Sequence, residues 1–165
     1  MAMGSHPKIE VKASFLEKVC HTLSVIFILV TSISAMHTYA SVPAKVPIHF
    51  DSDHLPDGWG SSLYIFILPV AAVFIFIMFY FLGRKPHIHR YPVKVTAENA
   101  PVLYRLSRLM AAVMGVEITL LLAVITLEFG VETAGHPFSI VPVIISLILV
   151  AVSPILFIIA MWRRR

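Results

Sequence analysis

The sequence predicts an all-α, polytopic membrane protein: four transmembrane helices in a bundle, with a polar extracytoplasmic loop between helices one and two. Three observations predict it. The chain is 58% hydrophobic and 13% charged, with a mean hydropathy of +0.87, whereas a soluble domain carries about 25% charged residues. A soluble surface built from so few charges would expose large apolar patches. Crossing roughly 30 Å of hydrocarbon takes about 20 mostly apolar helical residues, and four such stretches occur, at about 19–40, 62–82, 106–129 and 138–162. Basic residues, finally, gather at alternate margins of these stretches.

The elements follow in order as one domain, residues 1–165. Residues 1–6, "MAMGSH", read as initiator or vector-derived residues, because no small-residue cleavage site follows a short apolar core. Helix one ends before "SVPAKVPIHFDSDHLPDGWGSS", where Pro43 and Pro47 push the preceding residues out of helical geometry. Helix two runs to "GRKPHIHRYPVKVTAENAP". In that connection Thr96 to Asn99 resembles a helix start with Pro101 in the first turn, so helix three is expected to begin as an extension beyond the membrane. A tight connection, "GVETAGHP", closes a hairpin into helix four. Pro69, Pro142 and Pro154 predict kinks in helices two and four.

Lys and Arg in short loops are retained on the cytoplasmic side. Lys8, Lys12 and Lys18 precede helix one; Arg84, Lys85, Arg90, Lys94, Arg105 and Arg108 flank the connection to helix three; Arg163 to Arg165 end the chain. Asp51, Asp53, Asp57, Glu128 and Glu132 gather on the opposite side. Both termini are therefore expected to be cytoplasmic, in a bacterial inner membrane, with the first loop outside. A basic inner rim facing anionic lipid accounts for the net charge of +4. Nucleic acid is not an expected partner, since no aromatic platform or groove-reading helix accompanies the basic residues. The lone Cys20 excludes an internal disulfide.

The first loop holds the densest polar chemistry. "PDG" at Pro56 to Gly58 is a turn signal, and Trp59 suits the headgroup level. His49, Asp51, Asp53, His54 and Asp57 form a set of imidazoles and carboxylates that suits zinc or a similar divalent ion. The spacing matches no established zinc motif, and "DSDHLPDG" fails as a calcium loop because Leu55 occupies a ligand position. The competing reading is that His49 and Asp57 hydrogen-bond the loop and hold its shape.

Within "VPAKVPIHFDSDHLPDGWGSS", Pro43, Pro47, His49, Phe50, Pro56, Asp57, Trp59, Gly60 and Ser61 resemble the signature of the bacterial SdpI-type membrane family, whose N-terminal module is a domain of unknown function. Asp51 stands where that pattern has Asn, His54 where it has Gly, and Ser62 where it has Lys. Tyr91 with Pro92 and then "TAENAPVLYR" are similar to the family's approach to its third helix. The resemblance implies a polytopic bacterial membrane protein in which the best-known member gives immunity to a secreted toxin and holds a repressor at the membrane.

Glu117 lies near the middle of helix three, where an ionisable side chain costs about 3 kcal/mol or more unless paired, hydrated or protonated. Thr31, Ser32 and Ser153 fall at a similar depth and are its expected partners in an interhelical hydrogen bond. His37, near the outer end of helix one, could join His49 or Asp57. His87 and His89 are expected to face lipid headgroups. Three function classes remain. The leading one is an immunity or signalling protein that binds a peptide or small ligand through His49, Asp57 and Trp59. The second is a transporter or channel subunit with Glu117 in its polar path, a homo-oligomer if it is to enclose a pore. The third is a metal-dependent membrane enzyme, although no nucleophile elbow, His-Glu-x-x-His or phosphate loop is present.

Overall fold

The computed structural model describes residues 6–52 and 55–164. Four helices dominate it: α1 (Phe15–Ser41), α2 (Ile67–Gly83), α3 (Ala100–Thr133) and α4 (Ile140–Trp162). Each is long and apolar enough to cross a membrane, α2 together with the 3-10 turn over Ser62–Phe66 that leads into it. The loop between α1 and α2 is an antiparallel hairpin of β1 (Lys45–Phe50) and β2 (Pro56–Ser61).

Local sequence chemistry sets the ends. α1 begins ahead of its apolar run because Ser14 Oγ accepts the Glu17 N–H at 3.1 Å, the first half of a Ser-x-x-Glu capping box. α3 starts at Ala100 behind a reciprocal pair in which Thr96 N–H donates to Asn99 Oδ1 at 2.8 Å and Asn99 N–H to Thr96 Oγ1 at 3.3 Å. Its 34 residues span roughly 50 Å at 1.5 Å per residue, more than the hydrocarbon needs. It ends in a Schellman motif: His136 N–H reaches the Val131 carbonyl at 3.2 Å and Gly135 N–H the Glu132 carbonyl at 2.9 Å. Gly135 sits there at φ +87°, where a Cβ would be strained. Glu128 then accepts the Ser139 N–H at 2.8 Å, tying α3 to the start of α4.

The prolines act differently from expectation. Pro69 and Pro142 fall in the first turns of α2 and α4, where no intrahelical hydrogen bond is lost. Pro154 alone interrupts a helix interior.

α3 is the hub, packing against α1, α2 and α4, while α1 also packs on α2. Ser107, Ala111, Gly115, Thr119 and Ala123 put a buried small residue at every fourth position of α3. Such a stripe lets helix backbones approach closely, which matters where lipid supplies no hydrophobic drive between helices. A Cβ on Gly115 would lie 3.3 Å from Phe79 of α2, and one on Gly130 only 2.9 Å from Thr38 of α1. The buried hydroxyls of Ser24, Thr31 and Thr119 donate to carbonyls of their own helices. Among the described residues no buried side-chain polar atom lacks a partner.

The N-terminal arm, the α2–α3 connection and the end of α4 meet at one end of the bundle. There Val11, Leu103, Tyr104 and Met161 form an apolar cluster, and the Tyr104 hydroxyl donates to the Pro7 carbonyl at 2.7 Å. The hairpin and the α3–α4 turn occupy the other end.

Candidate functional site

The hairpin is locally specified. Register runs from Lys45 opposite Ser61 to Phe50 opposite Pro56, with irregularities between Pro47 and His49 and between His49 and Phe50. Ile48 and Asp57 are the residues left over, so each strand carries an extra residue that re-aims its neighbours. The turn is not at "PDG", which forms the start of β2. The strands are closed by Asp51 and Leu55, where Asp51 N–H donates to the Leu55 carbonyl at 2.9 Å and Asp51 Oδ1 accepts the Leu55 N–H at 2.9 Å. Local closure by an Asp side chain outcompetes the Pro-Asp-Gly signal. Two glycines permit the strand approach: a Cβ on Gly58 would meet that of His49 at 2.9 Å, and one on Gly60 the Tyr64 ring at 2.7 Å.

His49 and Asp57 come together, Nδ1 to Oδ1 at 2.5 Å. The pair is exposed, His49 at 71% and Asp57 at 46% of the side chain. This is a direct side-chain pair rather than the bonding to loop backbone expected of it. Asp53 and His54 lie outside the described residues. Among the described residues no three His, Cys, Asp or Glu side chains converge as a metal group; His49 with Asp57 supplies two of the ligand types such a group would use.

Beneath the hairpin, Ser41, Pro43, Lys45, Val46 and Trp59 face Phe129, Glu132 and Thr133 of α3 across a cleft of about 350 Å³. Its lining is mostly apolar, and Lys45 and Glu132 contribute opposite charges to it. The volume lies at the small end of ligand-pocket sizes, about 300–1,000 Å³. Trp59 is 58% exposed, an aromatic face left open rather than packed. A two-stranded hairpin alone is marginally stable; here Ser62 N–H bonds the Ala44 carbonyl at 3.1 Å, Val46 is buried, and the Tyr39 and Phe66 rings meet at 5.3 Å below it.

Residues 25–80 match the family model described as Domain of unknown function (DUF1648). The hairpin and its two flanking helices are similar to that domain. The match covers most of α1, both strands and most of α2, and leaves α3 and α4 outside it. No curated protein and no solved structure matches the chain.

The other expected site residues lie apart. His37 sits on an exposed face of α1 and, among the described residues, makes no hydrogen bond or ion pair with His49 or Asp57. Glu117 is roughly 18 Å along α3 from Phe129. There it accepts the Ser153 hydroxyl at 2.6 Å, joining α3 to α4, as the depth count suggested for Ser153. Thr31 and Ser32 instead donate to the Phe27 and Ile28 carbonyls at 2.7 and 2.8 Å.

Sequence reasoning missed the polar groups at the basic end. Arg108 donates Nε and Nη2 to the two Glu17 oxygens at 3.2 and 2.7 Å and Nη1 to the Val11 carbonyl at 2.8 Å. Only 14% and 7% of the two side chains remain exposed, so Arg108 is not a lipid-facing charge. His89 also turns inward. Its Nε2–H donates to the Leu82 carbonyl at 3.0 Å, and Nδ1 meets the buried Ser107 hydroxyl. Burial holds its pKa below the usual 6.5 against the opposing effect of the Leu82 bond. Burial likewise pushes the Tyr91 hydroxyl up to about 12, leaving it a donor to the Pro86 carbonyl at 2.8 Å. A charge within each apolar margin and the Ser-x-x-Glu cap at Ser14 were the available signals.

Proposed function

We propose that this is a bacterial inner-membrane ligand-binding protein of the immunity or signalling kind, with both termini cytoplasmic and the hairpin outside, recognising a short amphipathic peptide segment. The observation that carries this reading is the open cleft between the hairpin and α3, lined by Trp59, Lys45 and Glu132, on a hairpin that also displays the exposed His49–Asp57 pair. Because the sheet has two strands, each offers an edge on which an extended peptide can add main-chain hydrogen bonds. The cleft's apolar lining takes a side chain, and Lys45 and Glu132 pair with opposite charges on the peptide's side chains or termini. The resemblance of the loop to SdpI-type proteins supports the immunity reading.

Trp162 is the second tryptophan, so a Trp162→Phe background in nanodiscs isolates Trp59 emission. Titration with a panel of short amphipathic peptides is expected to shift that emission saturably for a subset. Affinity for them falls about tenfold or more in Trp59→Ala, in line with the cost of removing an aromatic anchor, falls less in Asp57→Asn and Glu132→Gln, and holds in Glu117→Gln. The opposite sensitivity would move the protein to the transport class.

A further inference from the structure

At the basic end a larger opening has no part in the reading above. A groove of about 790 Å³ is walled by the α2–α3 connection, the first turn of α3 and the end of α4, with Lys94, Arg163 and Arg164 around it. Among the described residues none of these three cations has an ion-pair partner; the one carboxylate in the lining is Glu98. A second hollow of about 380 Å³ continues from it, lined by Val102, Leu106 and Ala160 beneath the same two arginines. The walls are pinned by Asn99, whose Nδ2 donates to the Lys94 carbonyl at 3.1 Å and the Arg164 carbonyl at 3.5 Å.

This is a cationic chamber opening directly into an apolar trough. It sits where α4, 23 residues or roughly 35 Å long, has completed a crossing of about 30 Å of hydrocarbon. Trp162 stands at its edge, the usual position of an interfacial aromatic. A soluble anion would use the cations and leave the trough idle; a neutral lipid would use the trough and leave the cations uncompensated.

We propose that the groove is a bound-lipid site for one anionic phospholipid, with the phosphate held by Lys94, Arg163 and Arg164 and the proximal acyl chain laid along Val102, Leu106 and Ala160. Guanidinium groups suit the phosphate because they offer paired donors, and basic pockets between membrane helices bind anionic headgroups.

Native mass spectrometry of detergent-purified protein exchanged against equal phosphatidylglycerol and phosphatidylcholine tests it. One phosphatidylglycerol per chain is expected, preferred about tenfold or more. That preference is lost in Arg163→Gln with Arg164→Gln and kept in the control Lys45→Gln at the other end. Val102→Trp, which fills the trough without touching charge, is expected to lower retention of the same lipid severalfold. Equal retention of the two lipids by the wild type, full retention in Val102→Trp, or displacement of the lipid by inorganic phosphate would each overturn the site. Peptide-induced Trp59 emission in the double arginine variant separates this test from that of the hairpin, since failure here leaves that response intact.

Discussion

The two ends of the molecule use similar residue types in opposite ways. At the basic end Glu17 and Arg108 pair inside the protein, and the half-buried His89 ring bonds both Leu82 and Ser107. At the hairpin end His49 and Asp57 pair in the open. The first arrangement is one whose loss the fold must feel, because an unpaired charge in low dielectric is costly. The second is worth little to stability, because water screens it, and so is free to serve recognition. The bundle is fastened at one end and displays a hairpin at the other.

That contrast can be broken most forcefully at Arg108. Arg108→Met leaves Glu17 buried with only His21 nearby, at 3.9 Å, and is expected to destabilise by about 3 kcal/mol, read as a lower midpoint of unfolding in dodecyl sulfate. Replacing both partners, Glu17→Gln with Arg108→Met, should recover most of the loss. A single variant as stable as the wild type would show that the pair is not a fastening.

The next effect falls on His89. Its folded pKa is depressed by burial, so as pH drops through about 6.5 the unfolded chain gains a proton that the folded chain resists. This contribution is complete above pH 6.5 and is lost progressively below it. His89→Gln should flatten that acid limb of the stability profile, and Ser107→Ala should cost about 1–1.5 kcal/mol by removing one hydrogen bond of the half-buried ring. An unchanged acid limb in His89→Gln would assign the pH response elsewhere.

A smaller effect is expected within the membrane. Ser153→Ala removes the hydroxyl that Glu117 accepts and should cost about 1 kcal/mol, while Glu117→Gln, which retains an acceptor, should cost less. At the hairpin the stability effect is smallest. His49→Ala and Asp57→Asn are expected to stay within about 1 kcal/mol of the wild type while weakening peptide binding. Gly60→Val sharpens the comparison: it drives a side chain into the Tyr64 ring, so faster proteolysis within 45–61 with unchanged helical circular dichroism is the expected pattern. Loss of helix in that variant would mean that the hairpin supports the bundle.

The transmembrane plan was legible because the bilayer acts on each segment separately. Hydropathy summed over a window found α1 to α4, and Thr96, Asn99 and Pro101 announced the long start of α3. Gly135 lies in the connection read as a tight hairpin and becomes its Schellman residue. The β-hairpin was less legible: Pro43 and Pro47 marked the exit from helix one, but the turn was placed at Pro56 to Gly58 because the Pro-Asp-Gly signal masked the Asp51 closure.

By itself, then, the sequence determined that the chain has four segments long and apolar enough to cross a membrane, and the approximate bounds of each, since those follow from local composition. Only the tertiary structure decided which polar groups meet. Glu17 and Arg108 lie 91 positions apart and His89 and Ser107 lie 18 apart; their pairing depends on how the small-residue stripe of α3 sets the rotation and depth of its neighbours. Helix rotation is a property of packed surfaces, and no window along one strand of sequence contains it.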